Sequence, residues 1–299
     1  MLSLRQLRRR IRSVENTKKM TRAMEMVAAA KLKKLQDLLR QSDAYIEEFR
    51  RILGTLVQEK PLVHPLLEKR LEVKTSLAFL ITSDTGLCGS YNTNLLELTT
   101  QFLNERKTAA PISFISIGKN GAAFLKRRRQ TIQKELIVPR PQNMDETIRE
   151  VTQMAAERFT NHEADEIFFI YTKVVSLGSL KPTVTKLLPI ATPSPSPLPL
   201  KGGEDKGEGV VPVDYLLEPS LETILEIMLP EFIEAECGRL LKNSFVAEQA
   251  SRMTAMRQAT DNAKEMIDSL TLSRNKARQA AITKELLEVV SGSRALQMR

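Results

Sequence analysis

Counting alternately three and four residues onward from Leu4 reaches positions 7, 11, 14, 18, 21, 25, 28, 32, 35, 39, 42, 46, 49, 53 and 56 in one unbroken heptad register. Twelve of these sixteen positions are apolar: Leu4, Leu7, Ile11, Val14, Ala28, Leu32, Leu35, Leu39, Ile46, Phe49, Leu53 and Leu56. The segment holds no proline and only Gly54 near its end, so the spacing predicts a single helix from about residue 3 to 58. At 1.5 Å per residue such a helix is roughly 80 Å long, far more than a compact domain needs. Three of the polar exceptions, Lys18, Thr21 and Glu25, are consecutive seam positions, and beside them the apolar residues move to Met20, Ala23, Met24 and Val27. Over about two turns the pattern therefore predicts that the helix faces a different neighbour.

The C-terminal third has the same character. Val246, Met253, Met256, Ala263, Ile267 and Leu270 form a helical stripe that passes through Ala277 and Ala281 to Ile282, Leu286 and Val289, with interruptions expected near Pro230 and Gly238. Two long amphipathic helices at opposite ends of a chain can pair as an antiparallel coiled coil, or each can pack separately in a bundle; periodicity alone admits both. Between them the pattern changes. Ser76–Thr82, Ile112–Ile117 and Glu166–Thr172 read as buried strands, with helices near 93–107, 119–128 and 144–160, which implies a small, mostly parallel α/β layer. Val184–Ile190 is a candidate further strand, and residues 191–212, rich in Pro, Gly and charge, read as a mobile surface loop.

Composition narrows the class. With 299 residues, 42% hydrophobic, 12 Gly and 14 Pro, the chain has enough apolar mass for one or two globular units, and collagen or a fully disordered tail is excluded. The net charge of +9 is not spread evenly: residues 1–40 carry twelve basic and three acidic side chains, and the rest of the chain is neutral as a whole. Within that remainder residues 274–299 are locally basic, which leaves the middle mildly acidic. Cys88 and Cys237 are far apart and form no CxxC pair, so neither a zinc site nor a disulfide framework is indicated, and a reducing compartment is the default. No stretch approaches 18 uncharged apolar residues, and the N-terminus has no signal-peptide pattern.

The search for reactive chemistry is nearly empty. Thr82–Asn92, TSDTGLCGSYN, is the only Gly-rich turn after a strand, but it matches neither GxGxxG nor GxxxxGK[ST], and a structural turn is the better reading. His64 and His162 sit in polar connections, metal motifs such as HExxH are absent, and Cys88 has no positioned base near it in sequence. The run Arg8, Arg9, Arg10 and Arg12, followed by Lys18, Lys19 and Arg22, is compatible with tracking phosphates, so a basic coiled-coil nucleic-acid-binding protein is the alternative reading. Against it, residues 1–44 contain no aromatic side chain on which bases stack, and the heptad stripe commits one face of the helix to protein. An acidic protein surface is an equally good partner for such charge. A nucleotide-binding enzyme using the 82–92 turn is a third possibility.

Four motifs in order carry a family resemblance. Residues 4–34, LRQLRRRIRSVENTKKMTRAMEMVAAAKLKK, the turn SDTGLCGSYNTN (83–94), DYLLEP (214–219), and EQASRMTAMRQATDN (248–262) followed by NKARQAAITKELLEVVSG (275–292) resemble the γ subunit of F-type ATP synthases over essentially the whole chain. The resemblance implies a non-catalytic central shaft without cofactors or metals. Its fold would be an antiparallel coiled coil of the terminal helices plus a small Rossmann-like α/β domain, divided as 1–58, 75–190, a loop at 191–212, and 220–299. Implied partners are the α and β subunits, the ε subunit and the c ring, with no nucleic acid. By matching position, Lys19, Arg22 and Met24 fall where the family's shaft passes an acidic segment of β; Arg252, Arg278, Gln279, Thr283 and Glu285 match positions of hydrogen bonds and ion pairs to β; and Tyr215 matches the part of the base near the c ring. The sequence departs from the family at Thr85, where Arg is usual, and at Ser273-Arg274, which replaces an apolar–aromatic pair. The 191–212 loop lacks the two cysteines of photosynthetic members, and no acid-poor presequence precedes the first motif. The first point argues against a thiol switch in that loop; the second suggests a bacterial protein peripheral to the cytoplasmic face of the plasma membrane.

Overall fold

A computed structural model describes residues 3–59, 64–68, 70, 72–106, 110–176, 178–190 and 220–297. The elements in chain order are α1 (Leu4–Glu59), β1 (Ser76–Ile81), α2 (Tyr91–Glu105), β2 (Ile112–Ile117), α3 (Lys119–Arg127), β3 (Thr131–Leu136), α4 (Met144–Thr160), β4 (Glu166–Ser176), β5 (Ser179–Leu188) and α5 (Leu221–Gln297), with a short 3-10 turn at Pro141–Asn143. They fall into two compact units, Met1–Ala30 with Ser251–Arg299, and Lys31–Ala250.

Both long helices begin on a chemical signal. Ser3 and Gln6 form a reciprocal capping box, in which the Gln6 N–H donates to Ser3 Oγ (3.2 Å) and the Ser3 N–H donates to Gln6 Oε1 (2.9 Å). Ser220 Oγ accepts from the Thr223 N–H at the start of α5. The interruptions expected near Pro230 and Gly238 do not occur, because α5 continues through both. Pro230 lies on the exposed side, while Leu229, Phe232 and Ile233 next to it are buried and anchor the backbone. Gly238 is helical because helix packing is tight there: a Cβ would come 3.3 Å from Ile148 Cδ1 of α4.

In the larger unit the sheet order is β3-β2-β1-β4-β5; all neighbours are parallel except β4 and β5, so β5 is an antiparallel edge strand. β1, at the centre, is buried at every residue, as a strand covered on both faces must be. On one face Ala78, Leu80, Phe114, Phe168 and Ile170 pack against Leu95 and Phe102 of α2 and Leu125 of α3. On the other face Phe79 stacks on Phe169, with ring centroids 4.6 Å apart. β3 is absent from the sequence expectations: TIQKEL is a polar edge strand with mostly exposed side chains, and it lacks the apolar run that marks a buried one. Against this layer lies the first part of α5, buried on all sides from Asn243 to Ala250. The second part of α1 joins it, with Phe49 stacked on Phe232 (5.0 Å) and Lys242 Nζ donating to Ser42 Oγ (2.7 Å). Residues rise along α1 as they fall along α5, so the two helices are antiparallel here. Glu236, almost fully buried, accepts from both Arg50 (2.7 Å) and Arg239 (2.6 Å), which compensates its desolvation.

Asp165 ties the start of β1 to the start of β4, because its Oδ2 accepts from the N–H groups of Lys74 (2.7 Å) and Thr75 (3.0 Å). Burial opposes ionisation there, yet these two donors and Arg70 outweigh it and hold the pKa below the ordinary value. A depressed carboxyl pKa stabilises the fold above the unfolded-state value and loses that effect as pH falls through the folded one. Asp165→Asn should therefore cost about 1.5–3 kcal/mol at neutral pH. In urea unfolding the gap between variant and wild type should shrink steadily below about pH 4.

Candidate functional site

The smaller unit pairs residues 4–30 of α1 with residues 251–297 of α5. Thr21 and Thr260 meet here, hydroxyl to hydroxyl at 2.8 Å. Every heptad position of α1 in this unit is buried or half-buried, including Lys18, Thr21 and Glu25. This corrects the expectation that the helix turns to another neighbour between residues 18 and 25. The seam keeps its register and changes chemistry: two threonine hydroxyls bond across it, and one donates back to its own helix, Thr260 to the Met256 carbonyl or Thr21 to that of Lys18.

The displaced apolar residues have a different fate. Met20 and Val27 are 63% and 56% exposed, Ala23 is exposed and Met24 is half-buried; at about 100° per residue they line the side of α1 turned away from the seam. Lys19, Arg22 and Met26 flank them and are exposed, with Arg22 paired to Glu25 at 2.9 Å. The helix thus has one face committed to α5 and an outward face that is both apolar and basic. Met26 is a contact candidate that heptad counting missed, because it belongs to neither stripe.

With Thr21 opposite Thr260 in an antiparallel pair of equal rise, Leu4 lies opposite Ala277. Burial agrees: α5 stripe positions remain at least half-covered through Ala277 and Ala281, and every residue from 282 to 291 is exposed. α5 therefore outruns α1, and Ile282, Leu286, Leu287, Val289 and Val290 stand 49–70% exposed. Thr283 and Glu285 are exposed on this single-helix stretch and Arg278 and Gln279 are exposed just before it, whereas Arg252 is buried. The eight residues thus form no single cluster; they distribute over the first part of α1, a buried position of α5 and the C-terminal end of α5. Tyr215 and the 191–212 loop lie outside the described residues.

The 82–92 turn uses up its own polar groups. The Ser83 N–H donates to Asn92 Oδ1 (3.1 Å), Asn92 Nδ2 donates to Ser83 Oγ (2.7 Å), and Asp84 accepts from the N–H groups of Lys119 (3.0 Å) and Val138 (3.1 Å). Asp84 is thereby committed to the start of α3 and to the backbone after β3. In an open sheet of this kind ligands enter at the carboxyl ends of the strands, where the strand order reverses between β1 and β4. Here α5 fills that place: Ser244 Oγ accepts from the Thr172 N–H (3.3 Å) and bonds Tyr91 Oη (2.8 Å), and Asn243 Oδ1 accepts from the Val174 N–H (3.3 Å). The nucleotide-enzyme alternative loses its crevice to the protein's own helix. Burial pushes the Cys237 thiol up to about 12, and among the described residues no His, Cys, Asp and Glu group is arranged to hold a metal ion.

Comparison with known proteins finds relatives over nearly the whole chain. The model of the ATP synthase family matches residues 3–296. The ATP synthase gamma chain of Moorella thermoacetica is 40% identical over 300 residues, covering 99% of this chain and all of that one. That of Pelotomaculum thermopropionicum is 38% identical over 298 residues with the same coverage. Among solved structures, the rotor of the Euglena gracilis mitochondrial ATP synthase aligns over 93% of this chain and 98% of its own with a TM-score of 0.62 at 18% identity. The Tetrahymena thermophila central stalk and c-ring structure aligns over 80% of this chain with a TM-score of 0.54 at 21% identity. At such identities the structures establish the fold.

Two features can be tested on the isolated chain. Thr21→Val or Thr260→Val alone should destabilise by about 1 kcal/mol by losing the bond across the seam and setting a methyl group against the remaining hydroxyl, while the double variant should recover most of the loss in thermal unfolding. Gly118 has φ +102°, and a Cβ there would lie 2.3 Å from the Thr82 carbonyl oxygen, whereas Gly86 has nothing within 4 Å. Gly118→Ala should cost more than about 2 kcal/mol and Gly86→Ala about 0.5 kcal/mol or less in the same urea titration.

Proposed function

The chain belongs to the ATP synthase gamma chain family, and we propose that it works as the rotating shaft of its complex through the residues named below. It is a non-catalytic central-stalk subunit, partnered by the α and β subunits and the c ring. The observation that carries this is similarity over 99% of the chain, both terminal helices included. The nucleic-acid alternative gains no support from any relative.

The physical task of such a subunit is to make chemically identical catalytic sites differ. Only an asymmetric body that contacts each site differently can do so, and each of its orientations must favour a different state of each β subunit through differential contacts. A two-helix pair with an apolar and basic outward side meets that need. We assign Lys19, Arg22 and Met24 to contact with an acidic β segment, and Arg278, Gln279, Thr283 and Glu285, at the C-terminal end of α5, to polar contacts with β. Arg252 acts from its buried position in α5, and Tyr215 belongs to the c-ring side of the base. Residues 1–58 and 220–299 are the shaft helices in this reading, 75–190 the base and 191–212 its appended loop. The ε subunit binds that base. No helix among the described residues is long and apolar enough to cross a membrane, and the subunit is a peripheral part of a membrane-bound complex. Its relatives' bacterial origin supports the cytoplasmic face of the plasma membrane as its place.

Purified with matching α and β subunits, the chain should enter one stable complex and raise ATP hydrolysis far above its own; failure to associate would refute the reading. In the complete membrane-bound complex, c ring included, Lys19→Glu with Arg22→Glu should leave assembly intact, because both side chains are exposed. It should lower ion pumping per ATP hydrolysed by roughly an order of magnitude, since like charges set against each other cost several kcal/mol. Unchanged coupling would remove both residues from the β contact.

A further inference from the structure

Among the described residues outside the shaft, a concentration of unpaired charge lies at the end of α3. Lys126, Arg127, Arg128 and Arg129 are all exposed. Lys126 is neutralised by Glu135 at 2.6 Å, but among the described residues Arg127, Arg128 and Arg129 have no ion pair. Basic residues at a helix C-terminus commonly answer the helix dipole, and that accounts for Lys126 and Arg127. It does not account for Arg129.

Arg129 occupies the position after the helix cap with φ +56°. The bonding is that of a Schellman turn, with the Gln130 N–H donating to the Leu125 carbonyl (3.0 Å) and the Arg129 N–H to that of Lys126 (3.0 Å). Glycine fills this left-handed position with least strain, and an arginine is held there against local preference. A non-glycine residue held in this region is an outlier from which a role can be argued. Its neighbour is held in place as well: the Arg128 guanidinium lies 4.9 Å over the Phe124 ring, and Arg127 Nε donates to the Ala123 carbonyl (3.3 Å). Three guanidinium groups, two of them anchored, stand together with no acid between them.

Their place in the fold selects the partner. β1 to β4 are parallel, so their starts, Ser76, Ile112, Thr131 and Glu166, share one edge of the sheet, and the 128–130 turn directly precedes β3 on that edge. The Ile190 N–H donates to the Leu66 carbonyl there, and Glu226 in the opening turns of α5 acts on His64 close by. Ser220, which opens α5, directly follows the segment holding Tyr215. This is therefore the edge that the shaft reading turns toward the c ring and the bilayer. β3 is the outermost strand, three strands from the β4 backbone that α5 caps, so the arginines stand at the outer corner of that edge.

We infer that Arg127, Arg128 and Arg129 form a contact for the anionic phospholipid headgroups of the membrane surface surrounding the c ring. The inference rests on the shaft reading for its orientation. Planar guanidinium groups match phosphate geometry, and the exposed side chains of the patch, residues 126–129, are all charged, with no apolar centre of the kind a protein partner fills. Each such side chain near an anionic surface is worth about 1 kcal/mol, so three together amount to about a hundredfold in partitioning.

The test is co-sedimentation of the full chain, in complex with α and β so that its basic shaft is enclosed, with vesicles of phosphatidylcholine alone and of phosphatidylcholine mixed with phosphatidylglycerol, at low and raised salt. Wild type should bind only the mixed vesicles and lose binding with salt. Arg127→Gln/Arg128→Gln/Arg129→Gly should weaken that binding about a hundredfold, and Arg8→Gln/Arg9→Gln/Arg10→Gln on the shaft should weaken it much less. Arg129→Gly alone should raise the melting temperature and still reduce binding about fivefold, a combination that a purely structural role does not produce. Binding unchanged in the triple base variant, or lost only in the shaft variant, overturns the inference. Association with α and β is measured on the same preparations, so failure of the shaft reading shows itself as loss of that complex, independently of the vesicle result.

Discussion

The uninterrupted heptad register of α1 is the constraint on which the remaining structure depends. From Leu4 to Leu53 each of its positions is buried or half-buried, and a stripe of that length can be covered only by another helix of comparable length. The chain supplies one in α5, which is why its two ends must come together and why the α/β layer has to be inserted between them in sequence. In the larger unit the demand is stronger still, because α5 from Asn243 to Ala250 is covered all round, by α1 and by the sheet. That burial has a chemical consequence. Ser244 and Asn243 satisfy the β4 backbone at the place where folds of this type admit a nucleotide, so the helix that completes the core also removes the ligand site.

The polar interval in the seam shows how one helix can serve two neighbours. A seam of leucine throughout would bury more apolar area, but Lys18, Thr21 and Glu25 keep register with α5 through hydroxyl bonding and half-covered charge. Methionine, alanine and valine are thereby left on the opposite side, where a contiguous exposed apolar face marks an interaction site. The basic surplus of residues 1–40 surrounds this face, and positive charge there guides and orients an acidic partner more than it adds affinity.

Much of this was legible in the residues. The heptad count anticipated α1 nearly to its ends, and the apolar runs ISFISI and EIFFIYT announced β2 and β4, because burial on both faces leaves a continuous signature. TIQKEL gave no such sign, since an edge strand is defined by its hydrogen bonds to β2 and not by burial of its side chains. Pro230 and Gly238 suggested breaks that tertiary packing overrides, one by anchoring the residues beside it and the other by needing the space a side chain would take. The shift of apolar residues to Met20, Ala23 and Val27 was visible, but which stripe faced α5 was not: register is decided by the partner helix, and Thr260 lies 239 residues away. Left-handed Arg129 was invisible for a similar reason, because only the geometry of the turn reveals that glycine would sit there with less strain.

The central claim is that the chain turns as a body while its partners catalyse. Both native cysteines are buried, so a single cysteine introduced at the exposed Gln101 of α2 can be labelled selectively with a bead in a complex whose β subunits are fixed to glass. The account predicts unidirectional, stepwise rotation of the bead for as long as ATP is hydrolysed, stopping when it is exhausted. A bead that keeps a fixed orientation through sustained hydrolysis would contradict it.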